Sequence, residues 1–226
     1  MSLSPNWWES KDPVARFKWA CAVDSLESYA IGMLYDETSG LRLEDKTGDS
    51  YGPTLLMTAL YKRRQLLGQH LIQLGADVDA TNWLDMTPLC FASVFGFLGC
   101  SEMLVRRGAN VNHVPKWLGG TLLGGVAGET ALHGAARGGH RNIVIHLAES
   151  GADVNSHEYR IPPAVFLAAA NDHREIVRYL ADHGADLSLT TFCGLSLVDY
   201  VVESGRGTWP PRQTEQTVAL IEELSR

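Results

Sequence analysis

Apolar segments of helical length recur along the chain. Thr54, Thr87, Thr130 and Pro163 each open one. A threonine at such a start caps a helix by accepting a backbone N–H from the first turn, and proline suits the first helical position. In the clearest copy Ile143, Val144 and Leu147 repeat at helical spacing and predict a face that fills a core. Ala135, Ala136, Ala168 and Ala169 are small enough for antiparallel helices and their neighbours to pack closely. Twenty-one residues after each start stands Gly75, Gly108, Gly151 or Gly184, followed by Ala and then Asp or Asn. Glycine there ends the second helix of a pair with a left-handed residue, and the Asp or Asn begins a turn that projects sideways.

These glycines lie 33, 43 and 33 residues apart, so the middle interval is the same period with ten residues inserted. One such helix pair cannot bury its own apolar face and must stack on neighbours, which requires caps at both ends. The pattern predicts an N-terminal helix pair over Pro13 to Val23 and Leu26 to Tyr35, followed by a polar stretch to Ser50. Near the C-terminus Gly194-Leu195-Ser196 starts a fifth unit. It is interrupted by a segment containing Pro210-Pro211, and an amphipathic helix from Thr214 to Leu224 closes the stack with Val218, Ile221 and Leu224 facing inward.

The best copy reads Gly128-Glu129-Thr130-Ala131-Leu132-His133-Gly134-Ala135-Ala136-Arg137-Gly138-Gly139-His140 and runs on to Gly151-Ala152-Asp153-Val154-Asn155. Thr87-Pro88-Leu89-Cys90 is a second helix start of the same kind. In these motifs the sequence resembles the ankyrin-repeat family, strongly from about Tyr51 to Leu197 and weakly at the ends. The resemblance implies an all-α solenoid of stacked antiparallel helix pairs with β-hairpin-like fingers. On this register residues 1–50 form a capping pair and polar loop. Residues 51–193 form four repeats (51–81, 82–113, 114–157 with a long inserted hairpin, and 158–190), and 194–226 form a C-terminal capping repeat.

Composition changes the picture in what it excludes. The 226 residues are 45% hydrophobic and 20% charged, which fits a folded chain, and the net charge of −7 opposes binding to phosphate backbones. The longest uncharged stretch, Met86 to Ser101, is shorter than a membrane span and is broken by Pro88, Gly96 and Gly99. The N-terminus has no basic start leading into an apolar core. Cys21, Cys90, Cys100 and Cys193 form no Cys-x-x-Cys pair, which reads as reduced structural thiols of a cytoplasmic protein.

Catalytic signals are weak. His133, His140 and His173 occupy positions that the resemblance assigns to helix starts and interhelix turns. His70, His113, His157 and His183 make no ligand pair at helical spacing. The Gly119-to-Gly125 segment lacks the Gly-Lys-Ser/Thr ending of a phosphate loop. The reading is therefore no catalytic residue, no metal and no cofactor. The resemblance also implies that Asn112 and Asn155, with Asp79 one repeat earlier, stand where asparaginyl hydroxylases modify many such repeats.

The resemblance places partner binding on the concave face, made by finger tips and the exposed edge of each first helix. The register names Tyr51, Trp83, Leu84, Met86, Tyr159, Arg160 and Phe192 at the tips. It names Tyr61, Phe95 and Arg137 near the first-helix ends, and Trp117, Leu118 and Leu122 in the insert. Tyr51, Trp83, Tyr159 and Phe192 are expected to align as a stripe, because a solvent-facing tip has no folding need for an aromatic ring while interfaces favour them. The expected function is non-catalytic binding of a protein partner by a monomer, as a dedicated inhibitor, an immunity-type protein or an adaptor. The alternative is an enzyme or small-molecule binder using the groove beside the Gly-rich insert.

Overall fold

The structure is a computed structural model that describes residues 10–47, 52–116, 128–157, 161–205 and 211–225. The chain forms two compact units, Met1–Asn110 and Val111–Arg226. Among the described residues it is all-helical, with no β-structure beyond isolated bridges such as Lys46–Thr54.

In the first unit α1 (Pro13–Ala22) pairs with α2 (Glu27–Tyr35), α3 (Leu55–Tyr61) with α4 (Gln65–Gln73), and α5 (Pro88–Phe95) with α6 (Leu98–Arg106). First helices pack on first helices, α1 on α3 on α5, and second on second, α2 on α4 on α6. The threonines act as the pattern predicts. Thr54 and Thr87 adopt extended backbone and accept from the N–H of Met57 and Cys90. The six residues Leu55–Leu60 are all buried, as are Leu67, Leu71 and Ile72 on α4. Each fully buried aliphatic side chain of this size contributes about 1.5–3 kcal/mol. Gly68 sets how closely α4 lies on α3, since a Cβ there would stand 3.0 Å from Leu60 Cδ2.

The N-terminal pair joins the next one through polar bonds as well as packing. Glu27 on α2 accepts from the backbone N–H of Leu67, satisfying one of the donors that a helix start leaves open. Arg64 donates from Nε to the carbonyl of Cys21 at 2.9 Å.

The second unit repeats the plan. Its pairs are α7 (Ala131–Arg137) with α8 (Arg141–Glu149), α9 (Ala164–Ala170) with α10 (Arg174–Asp182), and α11 (Leu197–Gly205) with α12 (Pro211–Leu224). Helix α9 packs on α7 and α11, while α10 packs on α8 and α12. Thr130 caps α7, but Pro163 has no side-chain oxygen and α9 starts without such a bond. Helix α12 begins at Pro211, ahead of the expected Thr214. Its buried residues are Thr217, Leu220 and Ile221, while Val218 and Leu224 are only half-buried.

One backbone position recurs in the turns α3–α4, α5–α6, α7–α8 and α9–α10, though not in the α1–α2 turn. Arg63, Gly96, Gly139 and Asp172 hold it, with φ of 59°, 79°, 74° and 57°. Glycine adopts this left-handed conformation freely, whereas other residues pay about 1–2 kcal/mol.

Candidate functional site

The finger tips are built by a side chain that closes its own turn. Asn82 Oδ1 accepts from the N–H of Leu84 and of Met86, both at 3.0 Å, and Asp85 completes the turn at φ 59°. Thr191 does the same work in the last described finger. Its hydroxyl accepts from Leu195 N–H at 3.1 Å, and Gly194 takes the left-handed place at φ 77°. Both tips are also closed by a backbone bond, Asn82 N–H to the Met86 carbonyl and Thr191 N–H to the Leu195 carbonyl, and no strand ladder forms among the described residues.

This geometry sorts the expected contact residues. Trp83 is 50% exposed and Phe192 is 56% exposed, each at its tip. Leu84 and Met86 correct the sequence reading: at 5% and 1% exposure they point into the unit and anchor the turn, so they present nothing to a partner. Tyr51, Trp117, Leu118, Leu122, Tyr159 and Arg160 lie outside the described residues, so the stripe through Tyr51 and Tyr159 lies there too.

A second group gathers where α3 and α5 end. The Tyr61 ring meets Phe91 at 6.4 Å and Phe95 at 6.2 Å, edge to face, and Phe95 lies 6.1 Å from Phe97. These separations suit favourable aromatic pairs. Lys62 stands 5.4 Å from the Tyr61 ring centre and Arg63 stands 5.2 Å from that of Phe95, within cation–π range. Tyr61 is 47% exposed, Phe91 is buried, and Phe95 and Phe97 are half-buried. Tyr61 and Phe95 were legible as candidates. Phe97 and Arg63 were not, although the 33-residue register places Arg63 opposite Gly96 and so marks it as a costly choice.

Arg137 has an internal partner. Both ends of its guanidinium engage Glu129, through Nη2 to Oε1 and through Nε to Oε2 at 3.3 Å. The Glu129 side chain is fully buried and that of Arg137 is one-third exposed. Burial holds the Arg137 pKa below its ordinary value, and nearby Tyr200, its own pKa raised by burial, pushes it back up. Arg137 therefore neutralises a buried carboxylate first and has one edge left for solvent.

His133 and His173 serve the fold. His133 Nδ1 sits 2.7 Å from Thr130 Oγ1 and 3.3 Å from Thr130 N, closing a capping box at the start of α7. Burial lowers its pKa to about 4, against the pull of the Ser156 and Pro162 backbone and of Asp153. His173 Nε2 contacts the Arg137 carbonyl at 3.1 Å, and its ring lies over Gly139, where a Cβ would stand 2.5 Å from Cε1.

Among the described residues no cluster of His, Cys, Asp or Glu could hold a metal ion. Cys21, Cys90 and Cys100 are buried free thiols, and burial pushes Cys21 and Cys100 up to about 12. Cys193 differs from the expected structural thiol in being exposed. A cleft of about 970 Å³ opens beside α10 and α12, lined by Arg141, Arg174, Arg178, Glu175, Asp182 and Glu223. Its charges oppose one another, with Arg174 paired to Asp172 at 3.0 Å and Arg141 to Glu175 at 3.5 Å, so no single ligand charge is favoured. The groove beside the Gly-rich insert involves residues outside those described.

The asparagines at the proposed modification position hold the repeats together. Asn112 donates to the Gly151 carbonyl at 2.9 Å and accepts from Asp153 N–H at 2.8 Å. Asn155 repeats the bridge one unit on, to the Gly184 carbonyl and from Asp186 N–H. Asp79 accepts from Asn110 N–H at 2.9 Å but has no amide to donate.

A family model described as "Ankyrin repeats (3 copies)" matches residues 119–191, and one described as "Ankyrin repeat" matches residues 84–116. The chain therefore contains ankyrin repeats over residues 84–116 and 119–191, and such repeats are generally protein–protein interaction modules. A search of curated proteins finds no match. Among the described residues no helix is long and apolar enough to cross a membrane.

Proposed function

We propose that this protein is a non-catalytic binding module that holds a protein partner against its finger tips and first-helix ends. The observation that carries the reading is the exposure of large rings whose turns are closed by other groups. Trp83 is half exposed while Asn82, Leu84 and Met86 build and anchor its turn. Phe192 is likewise more than half exposed, at a turn closed by Thr191 and Leu195. Aromatic rings exposed at such sites are what interface hot spots use. The specific role is that of a dedicated inhibitor, an immunity-type protein or an adaptor, carried by a monomer in the cytoplasm, where buried thiols stay reduced. Residues 1–50 and 194–226 act as caps on the repeats of 51–193.

The test is affinity capture from native lysate with wild type and with Trp83→Ala/Phe192→Ala, alongside thermal melts. The reading expects one stoichiometric protein with the wild type, its loss in the variant, and melting temperatures within a few degrees. Retention of the same protein by the variant overturns the assignment of these rings.

A further inference from the structure

The aromatic group at the ends of α3 and α5 carries an inference that rests on the protein-binding reading and deepens it. Helices α3, α4 and α5, with the turns that follow α3 and α5, contain no Asp or Glu, in a chain with 26 carboxylates. The turn after α3 is Lys62-Arg63-Arg64. Glu27, which reaches α4 from α2, accepts from the Leu67 N–H. Among the described residues neither Lys62 nor Arg63 forms an ion pair, and each instead faces a ring. An otherwise acidic protein thus sets two cations, on elements that carry no carboxylate, beside Tyr61, Phe95 and Phe97.

The backbone supplies a second observation. Arg63 stands at φ 59° where the next two repeats use glycine. The other non-glycine at this position, Asp172, is held by Thr217 and Arg174. Arg63 has no such bond from its side chain. It is held in an unfavourable conformation that lays a guanidinium, its polar edge unpaired, on the Phe95 ring. Strain kept without a structural return marks a position kept for another reason.

We infer that this surface recognises an acidic peptide segment of the partner, with an aromatic or aliphatic residue packing against Tyr61, Phe95 and Phe97 and carboxylates pairing with Lys62 and Arg63. A guanidinium already stacked on a ring offers its edge to a carboxylate bidentately. Two cations on a chain of net charge −7 suit a short acidic segment better than a phosphate backbone, which needs a longer basic track.

The test selects random displayed dodecapeptides on the full chain and, in parallel, on Lys62→Glu/Arg63→Glu. On the wild type the recovered peptides should carry Asp or Glu beside Phe, Tyr, Trp or Leu. The best of them, made synthetically, should bind about ten-fold more weakly to the charge-reversed chain and more weakly in high salt. Arg63→Gly separates recognition from folding: affinity should fall while the unfolding midpoint holds or rises. A drop in that midpoint makes the Arg63–Phe95 contact a fold contact and overturns the inference. Recovered peptides without acidic excess overturn the partner's chemistry but leave the protein-binding reading standing. Failure to recover any peptide counts against both. A single-stranded RNA that binds the wild type, loses to charge reversal, and has no acidic peptide competitor reassigns the surface to nucleic acid.

Discussion

Thr217, fully buried on α12, donates its hydroxyl hydrogen bond to Asp172 Oδ1 at 2.6 Å. Asp172 occupies the left-handed position that Gly96 and Gly139 fill in other turns, and Arg174 pairs with the same carboxylate. The bond thus ties the last helix to a turn that would otherwise favour glycine. Thr217→Val keeps the shape and removes the donor, so stability should fall by about 1.5–3 kcal/mol, as expected for a hydrogen bond to a charged group. Urea unfolding checks it, and an unchanged midpoint contradicts it.

The Glu129–Arg137 pair gives a larger effect. Arg137→Met leaves a fully buried carboxylate without its counter-charge, which should cost about 3 kcal/mol or more. Adding Glu129→Gln removes the charge and should restore most of the loss. A double variant no more stable than the single one would show that the charge itself is not the problem.

His133 predicts a pH dependence of known sign. The unfolded histidine takes a proton near 6.5 and the folded one only near 4. Above pH 6.5 both states are neutral and this group adds no slope. As the pH falls from 6.5 toward 4 the unfolded chain binds a proton that the folded chain refuses, so stability drops, by roughly 3 kcal/mol in total. His173, lowered by burial, adds in the same direction. His133→Gln keeps an acceptor for the Thr130 N–H and should flatten the profile of unfolding midpoint against pH. An equal slope in the variant contradicts the assignment.

The Asn112 and Asn155 bridges predict a stabilising change. Asp79→Asn supplies the missing amide and aims it at the Gly108 carbonyl, as Asn155 aims at Gly184. The gain should be about 0.5–1 kcal/mol, visible as a higher urea midpoint. A lower midpoint would mean that the Asp79 charge does something the amide cannot.

The repeats themselves were legible because their signals are local and periodic. Thr54, Thr87 and Thr130 cap the helices they announce, and the glycines of the Gly-Ala-Asp/Asn motif that ends each pair adopt positive φ. What tertiary contacts decide was harder to read. Leu84 and Met86 lie beside exposed Trp83, and only the Asn82-closed turn determines which of them face inward. The inward face of α12 is offset from the expected one, with polar Thr217 buried against Asp172, a bond that an apolar pattern does not mark. Arg137 looked like a surface cation because its partner, Glu129, lies just before the helix, at a place usually in water.

Protein binding through these exposed rings is tested most directly by a photo-cross-linking residue placed at single positions. At Trp83 and at Phe192 it should capture the same discrete protein. At Tyr35, equally exposed but on α2, a second helix, it should capture nothing specific. Capture at Tyr35 alone, or no discrete product at Trp83 and Phe192, contradicts the account.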